Sequence, residues 1–159
     1  MIAQEIQNAL NQQMNDDDCS WYYYRAAAAY CDESDLRGLA KWLRKQSETK
    51  RHRATKIYDY ILQRRGHVEL KPIAASDAQW GSPLAVLDGA IEHERRVAVD
   101  VARLAELSLA AGDHSTHRFV EHFTREQAEA ESKLERVAER LRLLGDVPTG
   151  LFMFDEALA

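Results

Sequence analysis

Residues 84–109 read LAVLDGAIEHERRVAVDVARLAELSL, and this stretch decides the fold. Leu84, Leu87, Ile91, Glu94, Ala98, Val101, Ala105 and Leu109 follow one another at steps of three and four, which places them on one helical face. Glu94 alone breaks the apolar character of that face. Three further segments repeat the pattern. The first carries Ile6, Leu10, Met14, Asp17, Trp21, Tyr24 and Ala28; the second carries Leu36, Leu39, Leu43, Ser47, Lys50, Ala54, Ile57 and Ile61. The last carries Phe119, Phe123, Gln127, Ala130, Leu134, Val137 and Leu141. Ionised groups stay buried only when they are paired or bound to metal. Asp17, Lys50, Glu94 and Gln127, each well inside its segment, therefore point to one shared site.

Working outward, the expected helices span about 2–31, 35–65, 83–111 and 115–144, with a short apolar fifth at 151–158. Ser34 or Asp35 is the expected cap of the second helix, and Gly66 its left-handed terminator. Ser82-Pro83 restarts helix after the break at 67–81. The third helix ends near Ala111-Gly112, Asp113, Ser115 or Thr116 caps the fourth, and Gly145 closes it. Short links make two antiparallel hairpins. The long middle connection is expected to return the chain so that both hairpins start from the same end. The result is an all-α four-helix bundle with one crossover. The tail Leu151, Phe152, Met153, Phe154 and Leu158 is too short to stand as a lone helix in water and should pack on another subunit.

The 159 residues suit a single domain. Thirty per cent of them are charged, with 7 Gly and 3 Pro, as long solvent-facing helices require. A net charge of -5 gives no reason to expect nucleic acid or an anionic membrane as partner. No apolar run approaches the roughly 20 residues that span a bilayer. The start lacks the pattern of a signal peptide, and Cys19 and Cys31 form no metal-ligand spacing, so a reduced cytoplasmic setting is expected.

Carboxylates projecting inward from a four-helix bundle, with Glu-x-x-His pairs, are the di-iron arrangement. Leu10-Asn-Gln-Gln-Met-Asn15 ahead of Asp17, Tyr24, the run Phe119 to Glu129 and the ending Gly150 to Leu158 resemble the non-haem bacterial ferritins over essentially the whole chain. The resemblance implies self-assembly into a hollow 24-subunit shell, with the fifth helix around its fourfold axis and iron as cargo. It implies metal ligands at Asp17, Glu94, Glu126, Gln127 and Glu129, and a redox-active neighbour at Tyr24. For Tyr24 plain packing is the alternative, and for Glu129 a solvated helix surface.

Departures from the family pattern carry the sharper expectation. Asp17 stands where the family has Glu. Lys50-Arg-His-Arg53 stands where the second helix should read Glu-x-x-His, and Ala130 replaces a fourth-helix Glu. Lys and Arg offer donors and no acceptor, so neither binds iron as an ordinary ligand at neutral pH. An ion-pair cluster of Lys50 and Arg53 with Asp17 and Glu94 is expected in place of a di-iron centre. The light chain of animal ferritins is similar in carrying Lys at the corresponding position, and it stores iron without fast oxidation.

Between Asp35 and Arg64 nine Lys or Arg face three Asp or Glu. Lys41, Arg44, Lys45, Glu48 and His52 recur away from the apolar stripe, on the face that in ferritins looks into the cavity. That basic face suggests poor mineral nucleation and retention of anions, or a solvated surface paired with neighbouring subunits. Asp113, His114 and His117 fall where ferritin threefold pores lie, with capping the alternative role. No Met stands at the twofold site where bacterioferritins ligate haem, a neighbourhood that Arg51 and His52 occupy, so haem is not expected. Three functions stay open: an iron-storage subunit with a degraded centre, alone or co-assembled with an active ferritin subunit; an active ferroxidase with a shifted site; and a hollow shell that holds anions.

Overall fold

The computed structural model describes residues 1–74, 79–144 and 147–159. Five helices follow in order: α1 Gln4–Glu33, α2 Arg37–Gln63, α3 Pro83–Ala110, α4 His114–Leu144 and α5 Pro148–Leu158. α1 packs chiefly on α2 and α3 on α4, while α5 lies against α2 and α4. Among the described residues, no helix is long and apolar enough to cross a membrane.

The first three helices end in the same way. Leu36 N donates to Cys31 O and Asp35 N to Asp32 O, with Asp35 at φ 59°. Gly66 N donates to Ile61 O and Arg65 N to Leu62 O, with Arg65 at φ 57°. Asp113 N donates to Ser108 O and Gly112 N to Leu109 O, with Gly112 at φ 68°. These paired bonds satisfy the last carbonyls of each helix. Two expectations are corrected here. Asp35 terminates α1 and does not cap α2, whose N-cap residue Leu36 offers no side-chain acceptor. Arg65 takes the left-handed position expected of Gly66. Ser82 caps α3 as expected, its hydroxyl accepting from Ala85 N at 3.1 Å. Asp113 caps α4, accepting from Thr116 N at 3.1 Å. The expected terminator Gly145 lies outside the described residues.

The crossover corrects the expected hairpin polarity. α2 already returns the chain to the starting end of α1. From there His67 to Lys71 run parallel to α1, pinned by amide side chains one turn apart. Gln7 Oε1 accepts from His67 N at 2.8 Å, Asn11 Oδ1 from Glu69 N at 2.8 Å, and Asn15 Oδ1 from Lys71 N at 2.7 Å. Asn11 and Asn15 also donate to His67 O and Glu69 O at 2.8 and 2.7 Å. At the far end Tyr23 and Tyr30 meet Trp80, and α3 sets out antiparallel to α1. The two hairpins therefore start from opposite ends.

The core divides into two apolar clusters. One holds Tyr24, Leu39, Leu43, Leu87, Leu134 and Phe154; the other holds Ile6, Leu10, Met14, Ile57, Val101 and Phe123. Along every long helix, the interrupting polar position falls between the residues of these two clusters. The buried stripe of α3 also drifts from the expected one. Val97 and Leu104 are buried, whereas Leu109 is 53% exposed, because the buried positions Leu87, Ala90, Glu94, Val97, Val101, Leu104 and Ser108 keep a strict seven-residue repeat, the seam of helices that supercoil around one another.

α5 starts earlier than expected and docks by a specific contact. Asp155 accepts from Gly38 N at 3.0 Å and Leu39 N at 2.8 Å, so a carboxylate of α5 satisfies two first-turn amides of α2. A Cβ on Gly38 would lie 1.9 Å from Asp155 O, so only glycine admits α5 at this distance.

Candidate functional site

Asp17 of α1, Lys50 and Arg53 of α2, Glu94 of α3 and Gln127 of α4 meet in the layer between the two apolar clusters. Their exposures are 0%, 4%, 4%, 1% and 2%, so these charges are cut off from water. Lys50 and Arg53 share one face of α2 because they are three residues apart. Lys50 Nζ donates to Glu94 Oε2 at 2.7 Å and to Gln127 Oε1 at 3.3 Å. Arg53 grips Asp17 with both prongs, Nε to Oδ2 at 2.7 Å and Nη2 to Oδ1, and Nη1 donates to Gln127 Oε1 at 2.9 Å. Gln127 Nε2 donates to Glu94 O at 3.0 Å and also to its carboxylate. Tyr24 closes the network, its hydroxyl donating to Glu94 Oε1 at 2.6 Å.

Two negative and two positive groups make the layer neutral. Burial alone would push the Glu94 carboxyl up. The Lys50 charge and hydrogen bonds from Lys50, Tyr24 and Gln127 outweigh it and hold Glu94 below its usual range. Burial pulls the Lys50 ammonium down despite Glu94, and Arg53 adds to that pull. Burial opposes Arg53 too, but the Asp17 carboxylate overrides it and holds the guanidinium above its ordinary value. Burial and the Glu94 charge push the Tyr24 phenol well up, which keeps it a donor. Sequence reading passed over Gln13, one turn before Asp17, whose Nε2 donates to Asp17 Oδ1 at 3.2 Å.

The other candidate residues make no hydrogen bond within this layer, although the Glu126 carboxylate lies close enough to act on the Arg53 charge. Glu129 is exposed on α4, and Glu126 pairs on the surface with His122 at 2.9 Å. Asp113 is bound to Arg64 as well as capping α4, its Oδ2 receiving Nη2 at 3.1 Å. His117 Nδ1 lies 3.0 Å from Ala105 O, and His114 is exposed. Lys41, Arg44, Lys45, Glu48 and His52 are all exposed on α2, where Arg44 reaches Asp32. Ser20 Oγ and His93 Nε2, 2.6 Å apart beside a stacked Tyr23, form a further polar contact between α1 and α3. Nothing in the helical period marked that contact.

Among the described residues, no three His, Cys, Asp or Glu side chains gather so as to hold a metal ion. The chemistry of the buried donor set agrees. A cation placed between Asp17 and Glu94 would meet an ammonium and a guanidinium already bonded to those carboxylates.

A four-helix bundle with one long crossover, a short fifth helix and carboxylates facing inward from α1 and α3 defines a protein of the ferritin-like class. The family model for the ferritin-like domain matches residues 7–145, and the chain belongs to that family. It is 32% identical over 158 residues to a bacterial non-haem ferritin of Bacteroides fragilis, covering 99% of this chain and 98% of that one. It is 34% identical over 159 residues to one from Staphylococcus epidermidis, covering 100% and 96%. Among solved structures, the open pore ferritin of the hyperthermophilic archaeon Archaeoglobus fulgidus superposes with a TM-score of 0.96. That pair is 32% identical, with 99% of this chain and 96% of the other covered.

Proposed function

We propose that this chain is a subunit of an iron-storing shell of 24 copies whose buried centre is a structural ion-pair layer with no fast oxidation of Fe(II). The observation that carries the reading is the bonding of Lys50 to Glu94 and of Arg53 to Asp17 at side-chain exposures of 5% or less. Both carboxylates that iron would need are engaged, and displacing either cation would strand a buried charge. Ferrous iron is cargo here, oxidised slowly by oxygen at the mineral or by active ferritin subunits in a mixed shell. Haem has no part in this reading. The exposed Phe152 and Met153 in the middle of α5 support self-assembly, since large apolar side chains on an exposed helix face are best covered by symmetry-related copies.

Oxygen-dependent Fe(II) oxidation by the purified assembly, followed optically at a few irons per subunit, tests the reading. The background rate is expected. A rapid burst saturating near two irons per subunit would instead favour an active centre built on Asp17, Glu94, Glu126, Gln127 and Glu129. Iron content of the assembly as isolated separates storage from a hollow shell whose basic face holds anions. Lys50→Glu, Arg53→His and Ala130→Glu together should install the burst.

A further inference from the structure

Between the first half of α1 and the second half of α3 lies a groove of about 500 Å³. Glu5 and Asp16 line it from α1, Asp100 and Glu106 from α3, against one guanidinium in the lining, Arg103. Gln13 lines it as well. That side chain is 2% exposed, and its amide nitrogen is committed to Asp17 in the core behind the groove. Its Oε1 has no hydrogen-bond partner among the described residues. Exchanging O and N of the amide would not help, because it would set the carbonyl against the Asp17 carboxylate, two acceptors face to face. A buried carbonyl left in this way calls for a donor or a cation from outside the chain.

The carboxylates beside it have the same need. Asp16 lies within electrostatic range of Asp100 across the groove and of Asp17 behind it, with Lys71 the opposing cation. Lys71 Nζ is itself engaged by Gln12 Oε1 at 2.7 Å. Asp16 Oδ1 accepts from Gln12 Nε2 at 2.7 Å, while Oδ2 accepts no hydrogen bond among the described residues. Neither imidazole nor thiolate is found among the described lining residues. An all-oxygen set of carboxylates and one amide carbonyl is what hard divalent cations of the Mg²⁺, Mn²⁺ and Ca²⁺ kind prefer.

We propose that this groove binds one hard divalent cation through Asp16, Asp100 and Gln13 Oε1, with water completing the shell. Two carboxylates and an amide make this a different kind of site from a cluster of three acidic or imidazole ligands. Because the Gln13 amide that faces the ion also donates to Asp17, loading the groove strengthens that donor and couples the surface to the buried charge layer.

Titration of the purified assembly with Mn²⁺ alone, with free ion read from its electron paramagnetic resonance signal, tests the site. One saturable class of about one Mn²⁺ per subunit is expected. Asp100→Asn should weaken it roughly tenfold or more, and Asp100 is exposed, so folding is not at stake. Gln13→Met, similar in volume but without the carbonyl, should weaken the same class, and Glu121→Gln on α4 should leave it unchanged. The proposal is overturned if the assembly takes up no Mn²⁺ in the millimolar range. It is equally overturned if the Asp100 and Gln13 variants bind as the wild type does.

Discussion

Lys50→Ala isolates the charge balance of the buried layer. Removing the ammonium leaves Asp17, Glu94 and Arg53 with one uncompensated negative charge. Arg53 cannot move across to cover it, because two of its nitrogens are held by Asp17. Glu94 would keep the Tyr24 hydroxyl and the Gln127 amide, two neutral donors for a full charge at 1% exposure. Breaking one side of a pair buried to this degree costs about 3–5 kcal/mol. Guanidinium unfolding at fixed protein concentration and neutral pH, followed by circular dichroism, reads the loss as a shift in midpoint. Lys50→Met with Glu94→Gln removes both charges and keeps an acceptor for Tyr24, so most of the loss should return. Acidity gives a second axis. In the wild type the Glu94 carboxyl is held below its usual 4.5, so its stabilisation is complete above that value and fades as pH falls through the lower folded value. In Lys50→Ala burial dominates and the carboxyl rises, so the gap between variant and wild type should narrow on acidification. A loss below about 0.5 kcal/mol at neutral pH would mean a solvated lysine and would refute the reasoning.

Three further outcomes follow from other contacts. Gly38→Ala should drive α5 off α2, because the new Cβ would meet Asp155 O at 1.9 Å; size-exclusion chromatography should find the shell lost with helix content kept. Asn15→Leu leaves Glu69 O and Lys71 N without their partners, which should cost about 1–3 kcal/mol and speed hydrogen exchange at the Lys71 amide. Asp113→Ala removes the α4 cap, about 1 kcal/mol by thermal unfolding. Burial opposes the shift of Asp113, but hydrogen bonds from Arg64 and Thr116 bring its carboxyl down to about 2. The stabilisation is therefore complete above the usual 3.8 and is lost as pH falls through about 2, where variant and wild type should converge.

Much of the fold could be read because helical period is a local signal. The four stripes gave the long helices, and Asp17, Lys50, Glu94 and Gln127 were marked as inward-facing by the apolar residues on either side. Ser82-Pro83 and Asp113 were legible as helix starts for the same reason. What escaped depends on partners distant in sequence. Gln7, Asn11 and Asn15 sit one turn apart like any polar face, and nothing local says that residues 67–71 will lie along them. Asp155 reads as a surface acid until α5 is set against Gly38. Arg65 and Asp35 take left-handed positions that favour Gly, because the bonds to Ile61 and Cys31 compensate. The direction of the crossover has no local signature: a long link leads to opposite starting ends because α2 has already brought the chain back to the start of α1. Gln13 was invisible because its meaning lies in an oxygen without a partner.

The carboxylate that completes the first turn of α2 lies 117 residues downstream of one of the amides it serves. A ribosome adding roughly 5–20 residues per second needs about 6–23 seconds to cover that distance. For that interval a nascent α2 begins with frayed amides, and Gly38 in its first turn presents bare backbone. A late-emerging helix, α5, is thus the one that finishes the second. Emergence of α5 acts as a timer: until it docks, the first turn of α2 lacks its seal, and it gains that seal in a single docking step.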